Sequence, residues 1–387
     1  MHIIEQIQGY LPELTAIRRD IHAHPEIGFQ ETRTAALVAD CLRQWGVDRV
    51  ETGIGRTGVV GVIEGRGRGP AIGLRADMDA LPMQEDTGLA YGSVHPGVFH
   101  GCGHDGHTVM LLGAARYLAA TRDFAGRVHV IFQPAEEGLG GAAAMMEDGL
   151  FDRFPCKEIY GIHNWPNSRT GWIGATAGAA MAASSSFDIA ITGRGAHGAM
   201  PQQAIDPVMV AVTLAPALQT IVSRNVGPQQ TAILSITELH AGSTYNVIPD
   251  GAELRGTIRT FDPDVEALVV RRMQEIVAGV AAAFGATATV TVRAGYPALV
   301  NSADHMEAAC RVAADIVGPR NVDAEAMPLT GSEDFAFMLA QVPGAYLLLG
   351  QSGGGNLHNP SYVFDDDIIP IGASLLARIA EARLSNR

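Results

Sequence analysis

Eight consecutive residues, His100-Gly101-Cys102-Gly103-His104-Asp105-Gly106-His107, carry three imidazoles, a thiol and a carboxylate. Borderline-soft divalent ions take these nitrogen, sulfur and oxygen donors. The interleaved glycines let the backbone bend so that Cys102 and His104 can face one point. A polar loop capping the helix expected at 106–120 is the other reading, but such a loop needs neither a thiol nor three imidazoles. A second segment, Phe132-Gln133-Pro134-Ala135-Glu136-Glu137-Gly138, sits at the end of an expected strand. Adjacent carboxylates point in different directions, so one can hold a metal while the other carries a proton. An isolated Glu pair is more often solvated, but the carboxyl ends of strands are where open α/β sheets place ligands. Gly161-Ile162-His163-Asn164-Trp165 also ends a strand, and Asn356-Leu357-His358-Asn359-Pro360 follows the apolar run 345–349. Together the four segments offer Cys102, His104, Glu137, His163 and His358. Five donors exceed what one tetrahedral zinc needs, so two ions sharing a bridging ligand are expected. Such a site suits hydrolysis, by polarising a carbonyl and lowering the pKa of water. Glu136 is then the base toward that water and the acid toward the leaving nitrogen.

The chain that must position these groups has 387 residues, 47% hydrophobic and 18% charged, which excludes disorder and suggests two or three domains. Its 27 Lys+Arg against 41 Asp+Glu leave a net charge of −14, which argues against nucleic-acid and anionic-membrane partners. Cys41, Cys102, Cys156 and Cys310 are too scattered for a disulfide framework. No signal peptide and no uninterrupted apolar run of about 18 residues is evident, so a cytoplasmic protein is expected. Apolar residues from Ile3 to Ile21 recur at helical steps, and a second helix is expected at 34–45. Strands at 58–63, 71–74, 127–132 and 158–162 alternate with helices at 106–120 and 141–149. This implies an α/β fold with a mixed, largely parallel sheet. Residues 175–186, almost all small, read as a crossover that lines a pocket or acts as a hinge. Strands at 187–192, 231–239, 252–260 and 287–292, with helices at 207–225 and 265–284, follow the order of a ferredoxin-like α+β unit. The expected organisation is therefore 1–184, an inserted domain at 185–296, and 297–387.

These motifs resemble the aminoacylase-type dinuclear metallopeptidase family, in its branch of hippurate hydrolases, N-acyl-amino-acid amidohydrolases and plant auxin-conjugate amidohydrolases. The resemblance also rests on His22-Ala23-His24-Pro25-Glu26, on Arg75-Ala76-Asp77-Met78-Asp79-Ala80-Leu81-Pro82, and on residues 193–201, 246–250 and 331–335. It implies the same five ligands, two divalent ions per subunit (zinc, manganese, cobalt or nickel), and Glu136 as base. It implies that the inserted domain acts as a lid and makes a homodimer or homotetramer. In such enzymes a histidine of that domain polarises the scissile carbonyl in the neighbouring subunit, and His197 is the matching position. Asn246 and Arg259 sit where a substrate carboxylate would be held, Arg259 as a two-pronged donor; an exposed sheet residue is its alternative reading. Asp77 stands where the wider family has a metal-binding histidine. Asp77 and Asp79 are therefore expected to orient ligating imidazoles, Asp77 ahead of Asp79, and Glu333 and Asp334 to be structural or to support the ligands from behind. The implied substrate is a small N-acyl amino acid, hippurate-like first, with an aminopeptidase, dipeptidase or N-acetyl-amino-acid deacetylase as the alternatives.

Three readings of other classes compete. Gly53-Ile54-Gly55-Arg56-Thr57-Gly58 matches GxGxxG, but strand-like Val59-Val60-Gly61-Val62-Ile63 follows where a dinucleotide site needs a helix. A metal-free cysteine hydrolase, with Cys102 as nucleophile and His104 or His107 as base, leaves Glu136, Glu137, His163 and His358 idle and would ignore chelators. A non-catalytic binding protein conflicts with every expected catalytic position being filled.

Overall fold

The helical steps near the amino terminus produce the helix Glu5–Ala23, whose apolar face buries Ile7, Leu14 and Ile21. The computed structural model describes residues 1–385. It forms two compact units: residues 1–180, 300–327 and 334–385 make the first, and 181–299 with 328–333 the second.

In the first unit eight strands lie in the order Arg49–Ile54, Gly58–Glu64, Arg127–Gln133, Ala71–Asp77, Glu158–Trp165, Gly344–Gly350, Ile173–Gly174 and Val322–Asp323. The central four, from Arg127–Gln133 to Gly344–Gly350, run parallel, with Asp77 opposite Gln133 and His163 opposite Leu348. Their near-continuous burial is what a parallel sheet covered on both faces requires. Parallel register brings the carboxyl ends of these strands to one edge, and the residues just past those ends can meet there. Two sequence expectations need correction. The helix after the His-rich segment is His104–Thr121, starting two residues early, because Gly103 takes up φ +91° and turns the chain into it. His104, Asp105 and His107 therefore stand on its first turn. At Gly106 a side chain is excluded, since a Cβ there would lie 2.1 Å from the Phe364 ring. The stretch 175–186 is not a bare crossover, for it contains the strand Gly178–Met181 and the start of Ala183–Thr192. Pairing on both sides of Ala183–Thr192 supplies what its small residues lack in strand propensity. The GxGxxG segment turns the antiparallel hairpin Arg49–Ile54/Gly58–Glu64, as the rejection of a dinucleotide site requires.

The second unit holds a four-stranded antiparallel sheet, ordered Ala232–Ala241, Gly251–Thr260, Ala183–Thr192, Thr287–Ala294. The helices Pro207–Thr220 and Pro263–Ala283 share its core through Val210, Leu214 and Leu218, and through Val269, Met273 and Val277. This is the ferredoxin-like arrangement. The span Pro207–Asn225 is long and apolar enough to cross a membrane by length and composition. It also buries Ile221 in this core, as a core helix does.

Beneath the first turn of His104–Thr121 lies a buried ionic cluster. Asp105 Oδ2 is 2.8 Å from both Arg18 Nη1 and His22 Nδ1, and Glu85 Oε1 is 3.5 Å from His22 Nε2. Burial opposes charge on His22, but the hydrogen bond and charge of Asp105, with Glu85, outweigh it and the repulsion of Arg18. Its pKa is raised from 6.5 to about 9. The folded chain thus keeps a proton that the unfolded chain loses. The resulting stabilisation is complete below the unfolded value and fades as pH rises through the folded one. Urea unfolding should show stability falling from pH 6.5 to 9 by roughly 1–3 kcal/mol, and His22→Gln should flatten that slope. An equally steep slope in the variant contradicts this assignment.

Candidate active site

The carboxyl edge of the parallel sheet gathers the donors. Cys102 Sγ lies 3.4 Å from His163 Nε2. Glu137 Oε1 lies 3.9 Å from His104 Nε2 and 3.1 Å from His358 Nε2. Cys102, His104 and His163 form one group of candidate ligand atoms within 4.8 Å of one another. Cys102, Glu137 and His358 form a second such group, and His104, Glu136 and Glu137 a third. The start of the helix His104–Thr121, the turn after Arg127–Gln133, the strand Glu158–Trp165 and one late loop thus bring together all five expected metal donors with Glu136. Most of these residues are buried, whereas the His358 side chain is 54% exposed.

Neighbouring acceptors set the tautomers of the two buried imidazoles. His163 Nδ1–H donates to the Asn164 carbonyl oxygen at 2.7 Å, and His104 Nδ1–H donates to Asp79 Oδ1 at 3.1 Å. Each ring therefore turns an Nε2 lone pair toward the cluster, the second-layer arrangement of metal-binding histidines. Asp79 Oδ2 also accepts the Glu137 backbone N–H at 2.9 Å. One carboxylate so ties a histidine donor to a carboxylate donor. The direct hydrogen bond to His104 thus comes from Asp79, whereas Asp77 Oδ2 lies 3.9 Å from His104 Nε2. Asp77 Oδ1 binds His107 Nδ1 at 2.6 Å, and His107 Nε2 meets Asn164 Oδ1 at 2.7 Å. Asp77 ends its strand while Asp79 lies two residues beyond, where the chain has left the pleat. Arg75 stands in the motif quoted above but had no role assigned from the sequence. Its buried guanidinium joins Asp77 Oδ2 at 2.7 Å, Asp334 Oδ1 at 3.2 Å and Gln133 Oε1 at 2.8 Å. An arginine inside an otherwise apolar strand was the available signal. Asp334 also accepts from the Ala142 backbone at 2.8 Å, in keeping with a structural role.

Electrostatics and unsatisfied atoms test whether metal fits. Burial first, then the charge of Glu137, pushes the Cys102 thiol up. Burial and His107 hold His163 down. Burial opposes protonation of His104, but Asp77 and Cys102 push it up. A thiol raised in this way is a poor free nucleophile, which counts against the cysteine-hydrolase alternative. Neither His104 Nε2 nor Glu137 Oε1 has a hydrogen-bond partner among the described residues, although both atoms are buried. Leaving such a group unsatisfied costs about 1–3 kcal/mol. A divalent cation accepts both lone pairs and gives the thiolate its counter-charge. The donor set fits such ions.

The second unit carries the remaining predicted residues. The short strand Ala196–His197 pairs with Val247–Ile248, and Gly198 N–H donates to the Asn246 carbonyl at 2.8 Å, so His197 and Asn246 are neighbours. Both are exposed. Ala199 N–H donates to His197 Nδ1 at 3.0 Å, which leaves the proton of the neutral ring on Nε2. Arg259 lies half-buried on Gly251–Thr260, where burial pulls its pKa down.

This fold and donor set define a metal-dependent amidohydrolase. Residues 73–382 match the model of peptidase family M20/M25/M40. The chain is 43% identical to a hippurate hydrolase of Campylobacter jejuni over 380 residues, covering 98% of this chain and 99% of the relative. It is 41% identical to an N-acetyl-L-cysteine deacetylase of Bacillus subtilis, covering 92% and 85% of the two chains. A solved Bacillus subtilis structure, a dinuclear metal-binding peptidase of the M20 family, superposes with a TM-score of 0.86 at 34% identity, covering 98% of this chain and 100% of that one. The chain belongs to peptidase family M20/M25/M40.

Because Asp79 joins His104 to Glu137, Asp79→Asn should weaken divalent-ion affinity about 10- to 100-fold in calorimetric titration. Parent-like affinity in a folded variant contradicts that linkage.

Proposed function

We propose that this enzyme hydrolyses the amide bond of N-aroyl and N-acyl amino acids, hippurate-like compounds first, releasing a carboxylic acid and a free amino acid. The observation that carries the reaction is the largely buried five-donor cluster, two of whose atoms lack a hydrogen-bond partner among the described residues, beside the second carboxylate Glu136. Two divalent ions held by Cys102, His104, Glu137, His163 and His358 supply Lewis acidity when bound, polarising the amide carbonyl and acidifying water. Glu136, 7% exposed, takes the proton as the water oxygen attacks the carbonyl carbon. It returns that proton to the nitrogen as the carbon–nitrogen bond breaks. Asp79 fixes His104 and Glu137, while Arg75 and Asp77 balance charge beneath them. In this reading His197 offers its Nε2–H to the scissile carbonyl of the neighbouring subunit, and Asn246 and Arg259 hold the substrate carboxylate. The second unit would then assemble a homodimer or homotetramer. A cytoplasmic location accords with four free cysteines and the net negative charge.

The substrate class rests on similarity to the hippurate hydrolase. Similarity to an N-acetyl-L-cysteine deacetylase supports N-acetyl amino acids as the second reading. Turnover of hippurate and N-acetylcysteine, compared as kcat/KM, should favour hippurate; a reversed order selects the second reading. Glu136→Gln should lower kcat by roughly 10²- to 10⁴-fold with metal content unchanged. Near-parent turnover there would remove Glu136 from the role of base. Mixing inactive Glu136→Gln with inactive His197→Ala should restore turnover, and verified mixed dimers without rescue exclude action across subunits.

A further inference from the structure

Residues 26–31 serve no role in the reaction described above, yet they press on the turn that carries both glutamates. Ala135 adopts φ +52°, a left-handed conformation that a residue with a Cβ holds only when its surroundings enforce it. Three contacts do so. Glu31 Oε1 accepts the Ala135 N–H at 2.8 Å. The Ala135 carbonyl accepts the Gly141 N–H at 3.0 Å. Gly28 lies against it so closely that a Cβ there would sit 3.0 Å from Ala135 Cα and Cβ. Glu31 is itself 0% exposed, and its other oxygen accepts the Thr57 hydroxyl at 2.6 Å. The carboxylate is thus anchored at one end and grips the turn with the other. The segment is tied to the site a second time, since Ala80 N–H donates to the Glu26 carbonyl at 2.8 Å, one residue past Asp79.

We propose that Glu31, anchored by Thr57, is a positioning residue for the hydrolysis, clamping Ala135 in its left-handed conformation so that Glu136 and Glu137 point to different places. The proposal rests on the roles given above to those two glutamates. An Ala135 released to an ordinary conformation rotates the next peptide and swings both carboxylates. A displacement of about 1 Å at reacting groups can cost on the order of 100-fold in rate.

Three variants test this. Glu31→Gln preserves the clamp, because its carbonyl can accept from Ala135 while its amide donates to the Thr57 oxygen. Glu31→Leu fills the space but leaves the Ala135 N–H buried without an acceptor. Thr57→Val removes only the anchor. In metal-loaded protein, Glu31→Leu should lower kcat about 10- to 100-fold with KM within about twofold, Glu31→Gln should stay within about threefold, and Thr57→Val should fall between. Hydrogen exchange of the Ala135 amide should accelerate at least about tenfold in Glu31→Leu and stay slow in Glu31→Gln. Exchange reads the clamp whether or not Glu136 is the base, so loss of the base assignment, read from Glu136→Gln, is distinguishable from loss of this one. Faster exchange with unchanged kcat makes Glu31 merely structural and overturns the proposal. Lower kcat with exchange still slow overturns it as well. If Glu31→Leu does not fold, Thr57→Val decides: parent-like kcat and exchange in that variant refute the clamp.

Discussion

Donors that repel or ignore one another are packed together at the carboxyl edge of the first unit's sheet. A thiol, imidazole lone pairs and carboxylate oxygens converge there, and two of the atoms involved have no hydrogen-bond partner among the described residues. Burial without compensation is costly for each of them. A divalent cation is the one kind of group that satisfies all three donor types at once. The fold is arranged around that requirement. Asn164 and Asp79 pin the far side of each buried ring, and Asp79 reaches on to Glu137.

Two structural devices make the convergence possible. Parallel strands in register end together, so residues far apart in sequence leave the sheet at neighbouring points. Left-handed residues then redirect the chain at those points. Gly103 starts the helix that presents His104, Ala135 separates the strand Arg127–Gln133 from Glu136 and Glu137, and His358 itself takes φ +56° with its N–H bonded to the Gly101 carbonyl at 2.9 Å. The charge beneath is balanced by buried arginines, Arg75 under the donors and Arg18 below the helix start.

Much of this was legible because thiols, imidazoles and paired carboxylates are chemically distinctive wherever they occur. The five candidate donors and Glu136, which the fold brings together, could be named from residue type and clustering, helped for Glu136, Glu137 and His163 by their places at strand ends. The ferredoxin-like order of the second unit was legible from alternating patterns. What was not legible depended on partners remote in sequence. Arg75 makes sense only beside Asp334, 259 positions away, and Glu31 only beside Thr57 and Ala135, 26 and 104 positions away. The choice between Asp77 and Asp79 turned on where a strand stops, which periodicity does not resolve to one residue. The strands within 175–192 exist because their neighbours pair with them, against the preference of small residues.

Hydrolysis at this edge of the sheet depends on cations held by this donor set. Elemental analysis of purified, active protein, followed by exhaustive dipicolinate dialysis and stepwise return of a single divalent metal, addresses it directly. The expected result is about two ions per chain, turnover lost with them and regained on their return. Undiminished turnover from protein that contains no transition ion contradicts the account.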